Sequence, residues 1–246
     1  MTIPSGISTS RTCEFCGQPL QPVLNPYDPS VVISYLSCGC DGAKTAEAAR
    51  QEAERAESYA RSLEAHERDL IKSGMPQRYW SVPSDGTYLG AVESGGLFIH
   101  GPVGRGKTHL ACATMRAWMR KHGGHSLRTR AVFTDANEFF AHLRKAYDDG
   151  DSESEAMNRY ASCGLLIWDD FGKGRPSEWS LSKIEHVVNF RYNNLLPIIF
   201  TSQWSGGELV SRLEDGGSTE SAEAIVSRIV GTCQTVHLEG LDRRRL

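Results

Sequence analysis

Apolar residues fall along this chain in short runs separated by longer amphipathic stretches. Gly96-Leu97-Phe98-Ile99-His100, Ala131-Val132-Phe133-Thr134, Leu165-Leu166-Ile167-Trp168 and Pro197-Ile198-Ile199-Phe200 each read as a buried strand. Between the first two, Thr108 to Arg120 carries the alanines and spaced apolar residues of a helix; a second helix runs through Phe139, Phe140, Leu143 and Tyr147. Strands alternating with helices predict an α/β fold, a parallel sheet between helices, whose ligands lie beyond the carboxyl ends of the strands.

Upstream the pattern changes. From Ala43 to Ile71 the chain is alanine-rich and charge-dense, with Glu47, Arg50, Glu54, Glu57, Arg61 and Glu64 among its charges. This predicts a helix polar on nearly all sides, a solvent-bridging arm supported by pairs such as Glu57 with Arg61. Ser73-Gly74-Met75-Pro76 ends it. The chain therefore divides into an amino-terminal module over 1–42, a helical arm over 43–73 and an α/β domain over 74–246.

Just after the first strand, Gly101-Pro102-Val103-Gly104-Arg105-Gly106-Lys107-Thr108 fits the pattern G-x-x-x-x-G-K-[ST]. Strand, glycine loop and helix stand in the order a phosphate cradle requires, where a chance glycine-rich turn would lack the flanking elements. The glycines let backbone N–H groups turn inward around phosphate oxygens, and the helix N-terminus adds its positive end. Lys107 can reach the β and γ phosphates, and Thr108 would hold Mg2+, so ATP with Mg2+ is the expected ligand. The strand Leu165 to Trp168 runs into Asp169 and Asp170. Beside a phosphate loop, Asp169 would hold the magnesium's water shell and Asp170 would orient or polarise the attacking water; otherwise the two are solvated aspartates at a strand end. Thr201-Ser202-Gln203 follows the last of the four strands, and the Gln203 amide could contact the γ-phosphate or its water.

The chain has 246 residues, 39% hydrophobic and 23% charged, as in ordinary globular proteins, and no apolar run nears the ~18 residues of a membrane span. Residues 1–6 lack the charged and apolar regions of a secretory signal, which points to the cytoplasm. With a net charge of −3, contact with nucleic acid must be local. The local basic groups are Arg116, Arg120, Lys121, Arg128 and Arg130, then Lys173 with Arg175, then Arg243, Arg244 and Arg245; such groups are more often plain solvated surface, and Asp242 to Arg245 reads as a solvated tail.

Of seven cysteines, Cys13, Cys16, Cys38 and Cys40 form a C-x-x-C and a C-x-C resembling the two knuckles of a zinc ribbon. Gly17 and Gly39 suit such turns. Zn2+ is the expected ligand, against reduced bystanders or a disulfide pair, and would supply most of the module's folding energy. Cys112, Cys163 and Cys233 read as small buried hydrophobes.

Gly74-Met75-Pro76-Gln77-Arg78-Tyr79, the phosphate loop continued through His109-Leu110, Asp169-Asp170-Phe171-Gly172, and Pro197 to Gln203 together resemble the DnaC/DnaI helicase loaders and the related IstB transposition ATPases, over residues 74–240. The resemblance implies an AAA+ ATPase with His109 in its nucleotide loop and with sites shared between self-associating subunits. Arg228 falls where the family places an arginine finger, the alternative being an intramolecular ion pair. Gln203 stands where an Asn is usual at the first sensor. Tyr147, with Arg144 and Lys145, matches a contact to single-stranded DNA, though helix-end packing suits it equally; Trp179 is a weaker candidate. Implied is a protein that loads a replicative helicase onto single-stranded DNA, with a transposition helper or a nucleotide-switched adaptor of little turnover as alternatives.

Overall fold

The computed structural model describes residues 11–123, 126–214, 218–240 and 242. The expected tail cations Arg243, Arg244 and Arg245, and residues 1–6, lie outside the described residues. The chain forms two units, meeting in sequence between His66 and Glu67.

In the amino-terminal unit, strands β1 (Pro22–Leu24) and β2 (Val32–Tyr35) pair antiparallel. The Cys13 to Cys16 turn closes through Gly17, whose φ of 73° requires glycine and whose N–H donates to the Cys13 carbonyl at 2.8 Å. Helix α1 (Asp41–Ser73) starts directly after Cys40 and contains the helix expected over 43–71. Its pairs Glu47–Arg50 and Glu57–Arg61 stand at 2.7 and 3.5 Å, both exposed, and so add little.

The second unit carries helix α2 (Leu89–Glu93), strand β3 (Gly96–His100), α3 (Lys107–His122), β4 (Ala131–Asp135), α4 (Ala136–Asp148), α5 (Glu153–Ala161) and β5 (Leu165–Asp169). After them come α6 (Glu178–Asn193), β6 (Ile198–Ser202), α7 (Gly206–Glu214), α8 (Thr219–Thr232) and β7 (Gln234–His237). The five strands form one parallel sheet in the order β4-β5-β6-β3-β7. Alternate residues feed its two faces, as strand geometry dictates. Leu97, Ile99, Leu165, Ile167 and Ile199 pack with α3, whereas Phe98, Leu166, Trp168, Ile198 and Phe200 pack with α4 to α8. Cys112, Cys163 and Cys233 are buried among them, as expected.

Side-chain caps start the helices that follow the site strands: Asp135 accepts from the Glu138 N–H at 2.9 Å and Ser177 from the Ser180 N–H at 3.2 Å. One order in the sheet matters most for function. β6 lies between β3 and β5, so the end of β6 stands between the glycine loop and the acidic strand.

Candidate functional site

The glycine loop leaves β3 through Gly101 and enters α3 at Lys107, with Gly106 in the left-handed region at φ 86°. The Lys107 side chain is buried and folds back over the loop, its Nζ donating to the carbonyls of Gly101 and Pro102 at 2.8 and 2.9 Å. Gly101 and Gly104 also have close neighbours. A Cβ on Gly101 would lie 2.3 Å from the Leu238 carbonyl oxygen, and one on Gly104 would lie 2.1 Å from Asp242 Oδ1. Asp242, read as part of a solvated tail, is instead partly buried with its carboxylate against the loop, because the segment after β7 runs alongside it.

Across β6 the acidic strand meets this loop. Thr108 Oγ1 donates to the Asp169 carboxylate at 2.9 and 3.1 Å, and Thr201 Oγ1 donates to Asp169 Oδ1 at 2.5 Å. The same Thr201 oxygen accepts the Asp170 N–H at 2.9 Å. Burial pushes the Asp169 carboxyl above the usual carboxylate range, opposed by the hydrogen bonds from Thr201 and Thr108. Asp170 lies just past the strand, at φ 49°, with its Oδ2 accepting from Lys173 Nζ at 3.0 Å.

These groups surround a cavity of about 470 Å³ at the carboxyl ends of the strands. Of the expected residues, Val103, Gly104, Gly106, Lys107, Thr108, His109, Asp170 and Gln203 line it, with Asp169 directly behind Thr108. Gly101 and Pro102 contribute through the carbonyls that hold Lys107, and Arg105 lies partly buried in the loop. Arg78, Tyr79 and Lys173 line the same cavity, and sequence reasoning gave them no place in it. Burial raises the Tyr79 hydroxyl pKa. The motif Gly74 to Tyr79 was the only signal for the first two. Thr201 carries no signal in sequence, because its role comes from contacts with Asp169 and Asp170 on the neighbouring strand.

Asp169 and Thr108 give hard oxygen donors on one side of the cavity, which fits Mg2+. The four amino-terminal cysteines fit a different ion. Their sulfurs lie within 4.8 Å of one another, Cys13 to Cys40 at 3.7 Å and Cys16 to Cys38 at 3.5 Å. Tetrahedral Zn–S bonds of about 2.3 Å place sulfurs near 3.8 Å apart. Backbone N–H groups, Phe15's foremost, hold the Cys13 thiol down to about 7, whereas Cys16, which the Gln18 N–H lowers but Cys38 and burial raise, is pushed up to about 12. The short C-x-C knuckle is completed by α1, whose Ala43 N–H donates to Cys40 Sγ at 3.4 Å. Gly17 takes the positive φ expected of a knuckle turn; Gly39 does not need one.

The remaining expected residues lie away from the cavity. Arg228 on α8 donates to the Ala224 carbonyl at 2.8 Å and lies over the Tyr192 ring at 5.7 Å. It borders a separate cavity of about 330 Å³ with Gly95 and Ile198, at the amino ends of β3 and β6. Tyr147 is 79% exposed near the end of α4, beside exposed Arg144 and Lys145. Trp179 packs against Phe140 at 5.7 Å and is 39% exposed.

The fold is similar to the DnaC helicase loader (TM-score 0.55, 26% identity, 67% of this chain and 100% of that one). It is also similar to the replication initiator DnaA solved with AMPPCP and single-stranded DNA (TM-score 0.50, 26% identity, 64% of this chain and 45% of that one). Among curated proteins, an ATP-binding protein of an insertion sequence from Mycobacterium tuberculosis is 25% identical over 157 residues, covering 64% of this chain and 58% of that protein. The chain spans less than two thirds of the length of the curated relatives it matches. No helix among the described residues is long and apolar enough to cross a membrane. Residues 89–246 match the family of IstB-like ATP binding proteins: the chain belongs to that family, on an AAA+ ATPase-like fold.

Proposed function

We propose that this protein is a helicase-loader ATPase: it binds ATP with Mg2+, hydrolyses it at interfaces between copies of itself, and uses that cycle to place a replicative helicase on single-stranded DNA. The observation that carries the ATPase reading is that Lys107, Thr108, Asp170 and Gln203 line one cavity with Asp169 hydrogen-bonded behind Thr108. Bound there, Mg2+ would neutralise phosphate charge, held by Thr108 and Asp169. Lys107 binds the β and γ phosphates, moving from the loop carbonyls it now caps. Asp170 positions the attacking water, and the Gln203 amide reaches the terminal phosphate or that water.

Arg228 lies far from its own chain's Lys107, at the other end of the sheet, so any part it takes in hydrolysis is across a subunit interface. That position suits an arginine finger supplied to the neighbouring copy. Tyr147 offers an unhindered ring for base stacking, with Arg144 and Lys145 for phosphates. The cysteine cluster, holding Zn2+, makes the amino-terminal unit a small rigid module suited to docking on the helicase. Likeness to the DnaC loader and to DnaA solved with single-stranded DNA supports this reading. The family match and the insertion-sequence relative favour a second one, a transposition helper acting on duplex DNA.

The deciding experiment is ATP turnover with single-stranded, duplex or no DNA, at several protein concentrations, for wild type, Asp170→Asn and Arg228→Ala. The loader reading expects turnover that rises with single-stranded DNA and with concentration and is lost in both variants, and capture of a replicative helicase. Stimulation by duplex DNA alone favours the transposition helper. ATP binding without turnover under any condition leaves a nucleotide-switched adaptor.

A further inference from the structure

Lys173 lies just past the acidic strand, between Gly172 at φ 83° and Gly174 at φ 90°, in a loop whose backbone only glycine adopts readily. Its Nζ meets Asp170 Oδ2 at 3.0 Å, and both residues line the nucleotide cavity with Lys107, Thr108 and Gln203. The carboxylate that should face the attacking water is thus held by a cation on the cavity wall. The hold is loose: the Lys173 side chain is 63% exposed and that of Asp170 34%, and exposed ion pairs exchange readily. A terminal phosphate carries more negative charge than a carboxylate and more oxygens to accept from an ammonium, and the flexible lysine stem can follow it.

We propose that Lys173 is a further catalytic residue of the ATP site, exchanging Asp170 for the γ-phosphate of bound ATP and thereby freeing the Asp170 carboxylate to hold water against that phosphate. This rests on the ATPase reading above. ADP lacks the group that draws Lys173 away, so with ADP the pair stays closed. The site thereby distinguishes triphosphate from diphosphate by a residue outside the glycine loop. Lys107 and Lys173 divide the work, the first gripping the phosphate chain and the second sensing its last member.

Fluorescence titration of the full chain with ADP and with a β,γ-imido triphosphate, beside ATP turnover, tests this in Lys173→Ala and Lys173→Arg. Lys173→Ala should bind ADP as wild type does, bind the imido triphosphate about tenfold more weakly, and turn over ATP at least about tenfold more slowly. Lys173→Arg should recover most of the triphosphate preference. An unchanged preference in Lys173→Ala overturns the proposal, as does an equal loss for both nucleotides. So does loss of single-stranded DNA affinity with nucleotide binding intact, which would give Lys173 to a DNA phosphate instead. If wild type shows no turnover, the ATPase reading fails and the Asp170 half with it, while the titrations still decide the phosphate contact.

Discussion

Thr201 on β6 donates its hydroxyl to Asp169 on β5 at 2.5 Å, and its oxygen in turn accepts the Asp170 N–H at 2.9 Å. One fully buried side chain therefore fixes both acids of the site, the first through its carboxylate and the second through its backbone. Thr201→Val keeps the shape and removes both bonds, leaving a buried carboxylate short of a donor and an N–H unpaired. The expected cost is ~1–3 kcal/mol in chemical denaturation. Nucleotide binding should also lose its enhancement by Mg2+, whereas Thr201→Ser should keep it. Unaltered magnesium dependence in the valine variant would show that Thr201 does not position the site.

Among the described residues, Arg191 is the one buried charged side chain outside the site. Its Nη1 donates to the carbonyls of Tyr160 and Cys163 at 2.9 Å and of Ala161 at 3.2 Å, and its Nη2 to that of Pro197 at 2.5 Å. It thus ties the end of α5 and the turn into β5 to the residue just before β6. Arg191→Met should destabilise the fold by ~3–5 kcal/mol, because the carbonyls lose their donors inside the protein. Arg191→Lys should recover less than half of this, since one ammonium cannot reproduce the planar fork. Equal stability of wild type and both variants in urea would refute this role.

Zinc should copurify at one ion per chain. A strong chelator should then expose four reactive thiols, Cys13, Cys16, Cys38 and Cys40, on the folded protein. Cys112, Cys163 and Cys233 should stay inert, since all three are buried in the packed core of the second unit. Protein that carries no metal and shows four reactive thiols from the outset would rule the zinc site out.

His100 closes β3 immediately before the glycine loop and stacks on His237 at 4.6 Å, with the rings 4° from parallel. Burial first, then His237, holds its pKa below the ordinary value of 6.5; Lys107 acts in the same sense and Glu208 against it. The unfolded chain therefore takes up protons first as pH falls, so stability is full above about 6.5 and declines below it. Melting temperature should fall on acidification through this range, and His100→Asn should flatten the decline. A variant that tracks wild type at every pH would assign the decline to other groups.

Four of the five strands of the parallel sheet and the phosphate motif were legible in sequence because both depend on local order, whereas the half-exposed edge strand β7 and the short β1 and β2 carry no apolar run long enough to mark them. A short run such as Leu165 to Trp168, halted by two acids, suits a strand covered on both faces, and a glycine loop between strand and helix carries its own phosphate geometry. The paired cysteines were legible for the same reason, since each knuckle spans only a few residues. Thr201, Lys173 and Arg191 were not, because their roles depend on partners distant in sequence or on how a side chain turns. Thr201 matters only because the sheet order sets β6 between β3 and β5, and Arg191 only because α6 buries it beside carbonyls from two other segments. Arg228 shows the same division: sequence set it on a helix among apolar residues, and the fold put it at the opposite end of the sheet from Lys107. Sequence determined which chemical groups exist and what each does within a few residues. The tertiary structure decided which of them meet, because hydrogen bonds and ion pairs act over only a few ångströms and residues far apart in the chain reach that range only once the sheet is assembled.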